Sequence, residues 1–266
     1  DNPQGYRFVE FPLYNLVQAG LSDAIGIFTL EEWGRLVSIM SSVSAVYVLY
    51  LLIRRHANEE IGVLTAFFYA FFPFTIYYGR TILPDTSMVA AILAGTYFFD
   101  LWSKKNFKFQ ISNIKYYVPA VVFTMIAFLL KPYALFFTLP MLYIAWKELG
   151  SRIILTRQLW IFLILSVTPL LLWRQWMMQY PEGIPANAWL LNGNGIRFRP
   201  AFFRWMLYER VIKLLSGYVG VLFLLAGTYQ VFKEKERGFF LTFLISSVLY
   251  VCVFASGNVQ HDYYQI

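Results

Sequence analysis

The sequence predicts an all-α polytopic membrane protein with about eight transmembrane helices and a few short helices at the membrane surface. Of its 266 residues, 59% are hydrophobic and only 14% are charged, whereas soluble domains carry about 25% charged residues. The mean hydropathy of +0.55 agrees with this composition. The apolar residues also form long runs, which is the arrangement that a lipid bilayer requires.

Eight apolar segments are the predicted membrane spans. A helix needs about 20 apolar residues to cross the hydrocarbon core, and six of the segments approach that length. The fourth and fifth are shorter and flank Lys131 and Pro132, so they could also form one buried core pair or a tight helical hairpin at the membrane face. Two spans are predicted, because proline interrupts a helix. The segments cover residues 35–53, 61–78, 86–102, 116–130, 133–146, 159–177, 215–232 and 238–256.

Basic residues in the connections predict the orientation of the chain. Lys and Arg are concentrated in alternate connections, and the positive-inside rule places those connections in the cytoplasm. They lie at residues 54–55, 104–115, 147–157 and 233–237. The net charge of +7 is thereby explained by topology, and no nucleic acid is a predicted partner.

The two longest polar segments are predicted on the opposite face, which is periplasmic, extracellular or lumenal. Residues 1–266 are predicted to form a single transmembrane domain, which is expected to be part of a longer protein. Segment 1–33 contains a short helix at 12–20, and loop 178–214 contains an amphipathic helix at 202–213. Both helices are predicted to lie in the membrane interface. Nucleoside triphosphates are not freely available on this face, which argues against a nucleotide-dependent reaction.

Three charged residues of the outer face are candidates for chemistry. Glu10 precedes the first short helix, where an isolated acid is most simply a solvated loop residue. Arg80 and Asp85 lie between two spans, where charges are costly and usually functional. They form either a structural ion pair, with Asp85 capping the next helix, or a site in which Arg80 faces a cavity.

Two further residues extend this set. Lys131 at the end of the fourth segment either reaches the lipid headgroups as an anchor or presents a cation to a lipid phosphate. His261 stands beside Asp262, Tyr263 and Tyr264. A lone histidine is usually structural, but histidine and carboxylate together can hold a divalent metal ion.

Five motifs, taken in chain order, resemble bacterial membrane glycosyltransferases of the GT-C superfamily. The most similar groups are the protein O-mannosyltransferase-like family 39 and the aminoarabinose transferases that modify lipid A, which carry Lys where this chain has Phe11. The motifs are E-x-P-L-Y from Glu10, G-R-L-x-S from Gly34, Y-Y-x-R-x-x-x-P-D from Tyr77, L-L-K-P from Leu129 and H-x-Y-Y from His261.

The resemblance implies a GT-C-like helical bundle whose outer-face loops form the active site. It implies a polyprenyl-phosphate-linked sugar as donor, transferred with inversion to a lipid, glycan or protein acceptor, at the periplasmic or extracellular face of a bacterial inner membrane. Membrane lipids surround such an enzyme.

Roles for individual residues follow from the same resemblance. Glu10 and Asp85 are the implied catalytic acids, with Asp85 bracing the Arg80 turn. The main catalytic Asp of the family is expected upstream of residue 1. A divalent metal ion is implied between Glu10 and His261. The implied donor-phosphate ligands are Arg80, Lys131, Tyr263 and Tyr264.

Two other functions are compatible with the sequence. A lipid or glycan transporter or flippase needs a polar path across the bilayer, and the apolar segments offer few polar residues for one. A non-catalytic partner that binds a lipid-linked glycan would use the same Arg and Lys side chains. Walker A, GxSxG and HExxH motifs are absent from the sequence.

Overall fold

The computed structural model describes residues 5, 7–8, 10–105, 107, 111–184, 189–233 and 237–262. Every regular element in these residues is a helix, which confirms the all-α prediction. The α-helices are α1 Leu13–Ile25, α2 Leu30–His56, α3 Glu59–Phe71, α4 Pro73–Tyr78, α5 Asp85–Ser103, α6 Ile111–Leu130, α7 Leu139–Leu149, α8 Arg157–Met177, α9 Trp189–Asn192, α10 Pro200–Phe203, α11 Gly220–Val231, α12 Arg237–Val253 and α13 Ala255–Gln260. Four 3₁₀ helices, Pro132–Thr138, Gly150–Leu155, Pro181–Gly183 and Gly193–Phe198, and a π-helix at Arg204–Leu215 complete them.

Three helices in the described residues are long and apolar enough to cross a membrane: α2, residues Asn113–Leu130 of α6, and α8. A fourth span results if Pro200–Leu215 and α11, which meet at a bend of 106°, count as one. The eight predicted spans are therefore not confirmed. All eight apolar segments do contain helix.

Proline accounts for one difference between the predicted spans and the helices. The predicted span 61–78 is divided into α3 and α4, because Phe72 is extended (φ −61°, ψ 132°) and Pro73 starts the next helix. The residue before a proline disfavours the helical conformation. At 17 residues, α12 is shorter than a typical span.

Local sequence signals fix the ends of α2, the longest helix. The side chain of Thr29 accepts a hydrogen bond from the Glu32 amide, and Glu32 accepts one from the Thr29 amide, which together form a capping box. Arg54 and Arg55 lie in the last turn, where cations are favoured by the negative end of the helix dipole.

Helix α5 lies at the centre of the bundle and packs against α2, α6 and α7. Its contact with α6 is close at Gly95, where an added Cβ would lie 2.6 Å from the hydroxyl of Thr124. Glycine is thus required at the point where the two helices approach. Buried side chains, including Trp102 and Phe99, fill the core around α5.

The outer surfaces of the bundle are strongly apolar. On α11, Leu222 and Leu225 are 66% and 63% exposed, and no residue of that helix is buried. Lipid tails are the natural contact for such a surface, since they are as apolar as leucine. These surfaces fit an integral membrane protein.

Candidate functional site

Three elements bring the candidate residues to one end of the bundle. Glu10 precedes α1, Asp85 is the first residue of α5, and Lys131 follows the last residue of α6. Lys131 is extended (φ −149°, ψ 114°) because Pro132 starts the next helix. The amide of Phe11 donates to the carbonyl of Leu129 over 3.2 Å, which fixes the Glu10 segment to the end of α6.

An ion-pair cluster joins the three charged side chains. The Lys131 ammonium pairs with Glu10, and its Nζ lies 3.5 Å from Oδ2 of Asp85. Asp85 is fully buried and Lys131 is 7% exposed, whereas the side chain of Glu10 is 21% exposed. Charges at such depth are stable only when they are paired. Glu10 is therefore the carboxylate of the cluster that solvent or substrate can reach.

Tyr133 is a member of this cluster that the sequence did not identify. Its hydroxyl donates a hydrogen bond to Oδ1 of Asp85. Tyr133 follows Lys131 and Pro132 directly, so the motif contained it, but only the fold shows that its hydroxyl reaches the first residue of α5.

A second contact joins two of the sequence motifs. The Tyr14 hydroxyl donates to the Gly34 carbonyl over 2.6 Å and lies 2.7 Å from the Ser38 hydroxyl. Burial raises the pKa of the Tyr14 phenol, which keeps it protonated as a donor. The side chain of Gln18, on α1, also donates to the Leu30 carbonyl of α2 over 2.8 Å. These contacts anchor α1, and with it the Glu10 segment, to α2.

We expect Tyr14→Phe to lower the free energy of unfolding by about 1 kcal/mol, the usual contribution of one hydrogen bond. Denaturant unfolding of the purified protein in detergent measures the change. Tyr50→Phe is the matched control, because the Tyr50 hydroxyl bonds to the exposed side chains of Glu59 and Arg54, at 3.4 and 3.2 Å. Equal effects of the two substitutions would contradict the proposed anchor.

Arg80 makes no ion pair with the carboxylates of this cluster in the described residues. It is exposed in the turn between α4 and α5, and no ion pair joins it to Asp85 in the described part of the chain. The described residues thus do not form the alternative Arg80–Asp85 ion pair, and Asp85 contacts Lys131 and Tyr133. That Asp85 braces the Arg80 turn stays a prediction. Asp85 is not the N-cap residue, because α5 begins at Asp85 and Pro84 precedes it.

His261 belongs to a second polar cluster, at the end of α13. Its ring lies 5.9 Å from that of Trp189. The guanidinium of Arg210, on the π-helix, donates to the carbonyls of Asn258 and Val259 over 3.3 and 2.8 Å and pairs with Asp262. Loop 178–214 is thus fastened to the end of the last helix.

The implied metal site and two of the phosphate ligands stay predictions. Among the described residues, no three His, Cys, Asp or Glu side chains lie together as a metal site would require. The Glu10–His261 pairing therefore gains no geometric support. Tyr263 and Tyr264 lie outside the described residues.

Aromatic rings flank the Glu10 segment on the side of α8. The Phe11 ring meets Trp173 edge to face at 5.1 Å, and Phe8 meets Trp173 and Trp176 at 5.8 and 5.4 Å. The amide of Phe8 also donates to the Gly183 carbonyl over 2.8 Å. These contacts hold the segment against the end of the bundle.

A separate charged cluster lies at the other end of α5. Asp100, 1% exposed, accepts a hydrogen bond of 2.5 Å from Nε of Arg55, and its second oxygen lies 3.7 Å from His56. Lys104 pairs with Glu148 over 2.6 Å nearby. The sequence assigned these basic residues to topology alone, whereas the structure shows that Arg55 also neutralises a buried carboxylate.

Comparison with known proteins gives one match. The family model described as dolichyl-phosphate-mannose-protein mannosyltransferase matches residues 12–173, more than half of the chain. No curated protein and no solved structure matches the chain. The matched region includes Asp85, Lys131 and Tyr133, and Glu10 lies two residues before it.

Proposed function

Because the chain belongs to the dolichyl-phosphate-mannose-protein mannosyltransferase family, and is thus a membrane glycosyltransferase of the GT-C type, we propose that it transfers a sugar from a polyprenyl-phosphate donor. The acceptor is a hydroxyl group of a lipid, glycan or protein. The observation that carries the proposal is the cluster of Glu10, Asp85 and Lys131 at one end of the bundle. In a bacterial cell this end would face the periplasm, by the distribution of basic residues.

The reaction exchanges one bond at the anomeric carbon of the sugar. The acceptor oxygen forms a bond to this carbon while the bond to the donor phosphate oxygen breaks, and the lipid phosphate leaves with the bonding electrons. A base takes the acceptor proton. The site must therefore supply a cation for the phosphate and a carboxylate for the proton.

Lys131 is the cation best placed for the phosphate. Its ammonium pairs with Glu10 and Asp85. Asp85 is fully buried and is held by Tyr133, whereas Glu10 lies on a partly exposed segment. An arriving phosphate would therefore displace Glu10 and leave Asp85 in place, which makes Glu10 available to accept a proton.

Asp85 has a different role from Glu10 in this scheme. Its complete burial keeps it from a substrate, so it positions Lys131 rather than reacting. The exposed Arg80 would add a second cation for the donor. A metal ion at Glu10 and His261 stays an expectation of the family resemblance.

The test is sugar transfer by the full-length protein carrying Glu10→Gln. We expect the turnover number to fall by about 10²–10⁴-fold, the usual contribution of a general base, while polyprenyl phosphate still binds. Transfer is measured in proteoliposomes with a labelled polyprenyl-phosphate sugar. Glu31→Gln is the matched control, since Glu31 pairs at the exposed surface with Arg35. Wild-type turnover by Glu10→Gln would exclude Glu10 as the base.

A further inference from the structure

Tyr133 is positioned to control the orientation of the Lys131 side chain. It is 8% exposed and lies in the first turn of the 3₁₀ helix Pro132–Thr138. Its hydroxyl is bonded to one oxygen of Asp85 while the other oxygen lies 3.5 Å from Lys131. The carboxylate of Asp85 thus lies between the side chains of Tyr133 and Lys131 and contacts both.

The hydrogen bond fixes the orientation of the Asp85 carboxylate. A carboxylate without a fixed partner can rotate about its Cβ–Cγ bond, since that torsion is broad. With Oδ1 held by Tyr133, Oδ2 faces the ammonium of Lys131. The direction of the Lys131 side chain therefore depends on the Tyr133 hydroxyl, which acts through Asp85. The Tyr133 ring also lies 5.9 Å from the Lys131 ammonium, and phenylalanine would keep this contact.

The ring of Tyr133 connects the cluster to a distant part of the chain. It lies 4.8 Å from the ring of Tyr250 and 6.0 Å from that of Phe254, at the end of α12. Both residues lie outside the region 12–173 that the family model matches. The C-terminal helices thus help to hold the side chain that fixes Asp85.

From this geometry we infer that Tyr133 is a positioning residue for the donor phosphate, acting on Lys131 through Asp85. The inference rests on the proposed function, in which Lys131 binds that phosphate. If Tyr133 were only a packing residue, its ring would matter and its hydroxyl would not.

The experiment compares Tyr133→Phe, which keeps the ring, with the wild type in the full-length protein. Undecaprenyl phosphate is titrated against the protein in nanodiscs, and donor and acceptor KM values are measured separately. We expect affinity for undecaprenyl phosphate to fall about tenfold, as for a hydrogen bond to a charged group, and the donor KM to rise while the acceptor KM is unchanged. Tyr69→Phe, on α3, is the control and should bind like the wild type.

A double variant tests whether Tyr133 acts through Asp85. We expect Tyr133→Phe to weaken binding no further once Asp85→Asn is present, since the two act in series. Full additivity of the two losses, or wild-type affinity of Tyr133→Phe, would overturn the inference. Lys131→Met separates failure of this inference from failure of the proposed function. If Lys131→Met binds undecaprenyl phosphate as tightly as the wild type, the proposed function and the inference are both overturned. If Lys131→Met loses binding while Tyr133→Phe binds like the wild type, only the inference is overturned.

Discussion

Lys131→Met is expected to lower the rate of sugar transfer by about 10²–10³-fold, the loss seen when one preorganised donor to a developing anion is removed. Methionine keeps the length of the side chain but brings no charge to the leaving phosphate. The substitution also leaves Asp85 buried without its cation. The rate is measured with the labelled donor in proteoliposomes.

Loss of folding has to be separated from loss of catalysis in this variant. An unpaired buried carboxylate costs about 3–5 kcal/mol, so Lys131→Met alone is expected to unfold more easily. The double variant Lys131→Met/Asp85→Asn removes the orphaned charge, and we expect it to regain stability and remain inactive. Recovery of transfer in the double variant would show that Lys131 acts on stability alone.

Arg55→Ala is expected to cost about 3 kcal/mol of stability, near the low end for breaking a buried ion pair, because the Arg55 side chain is 28% exposed. The buried Asp100 loses its closest cation, and the 3.7 Å contact with His56 does not replace a charged hydrogen bond. Unfolding of the detergent-solubilised protein by heat or denaturant provides the measurement.

Two variants distinguish this effect from a general loss of surface charge. Arg54→Ala removes a neighbouring, exposed charge whose only hydrogen bond in the described residues joins Tyr50, and we expect a change below about 0.5 kcal/mol. Arg55→Ala/Asp100→Asn removes both charges and should recover much of the lost stability. A double variant as unstable as Arg55→Ala would refute the buried pair.

Hydropathy was sufficient to locate the helices but not to count the spans. The apolar segments coincide with α2, α5, α6, α8 and α12 to within a few residues, because apolar runs of that length are helical in a membrane. The sequence did not show that the segment at 61–78 breaks at Phe72, although Pro73 was visible. The 106° bend before α11 lies between the predicted amphipathic helix at 202–213 and the start of the predicted span at 215–232.

Only the charged residues of the site could be predicted from the sequence. Lys131 and Asp85 were singled out because charges near a membrane are costly, and the structure brings both to Glu10. Tyr133 was missed because a tyrosine among aromatic residues carries no signal of its own. Asp100 was missed because its partner lies 45 residues away, a separation that no local pattern encodes.

Helix α5 carries a buried acid at each end. Asp100 pairs with Arg55 of α2, and Asp85 pairs with Lys131, which directly follows α6. Asp85 and Asp100 are fifteen residues apart, or about 22 Å along the axis. Sliding α5 by one turn, or rotating it, would break both attachments at once. The two ion pairs therefore fix the position of α5 along its axis and its rotation about that axis.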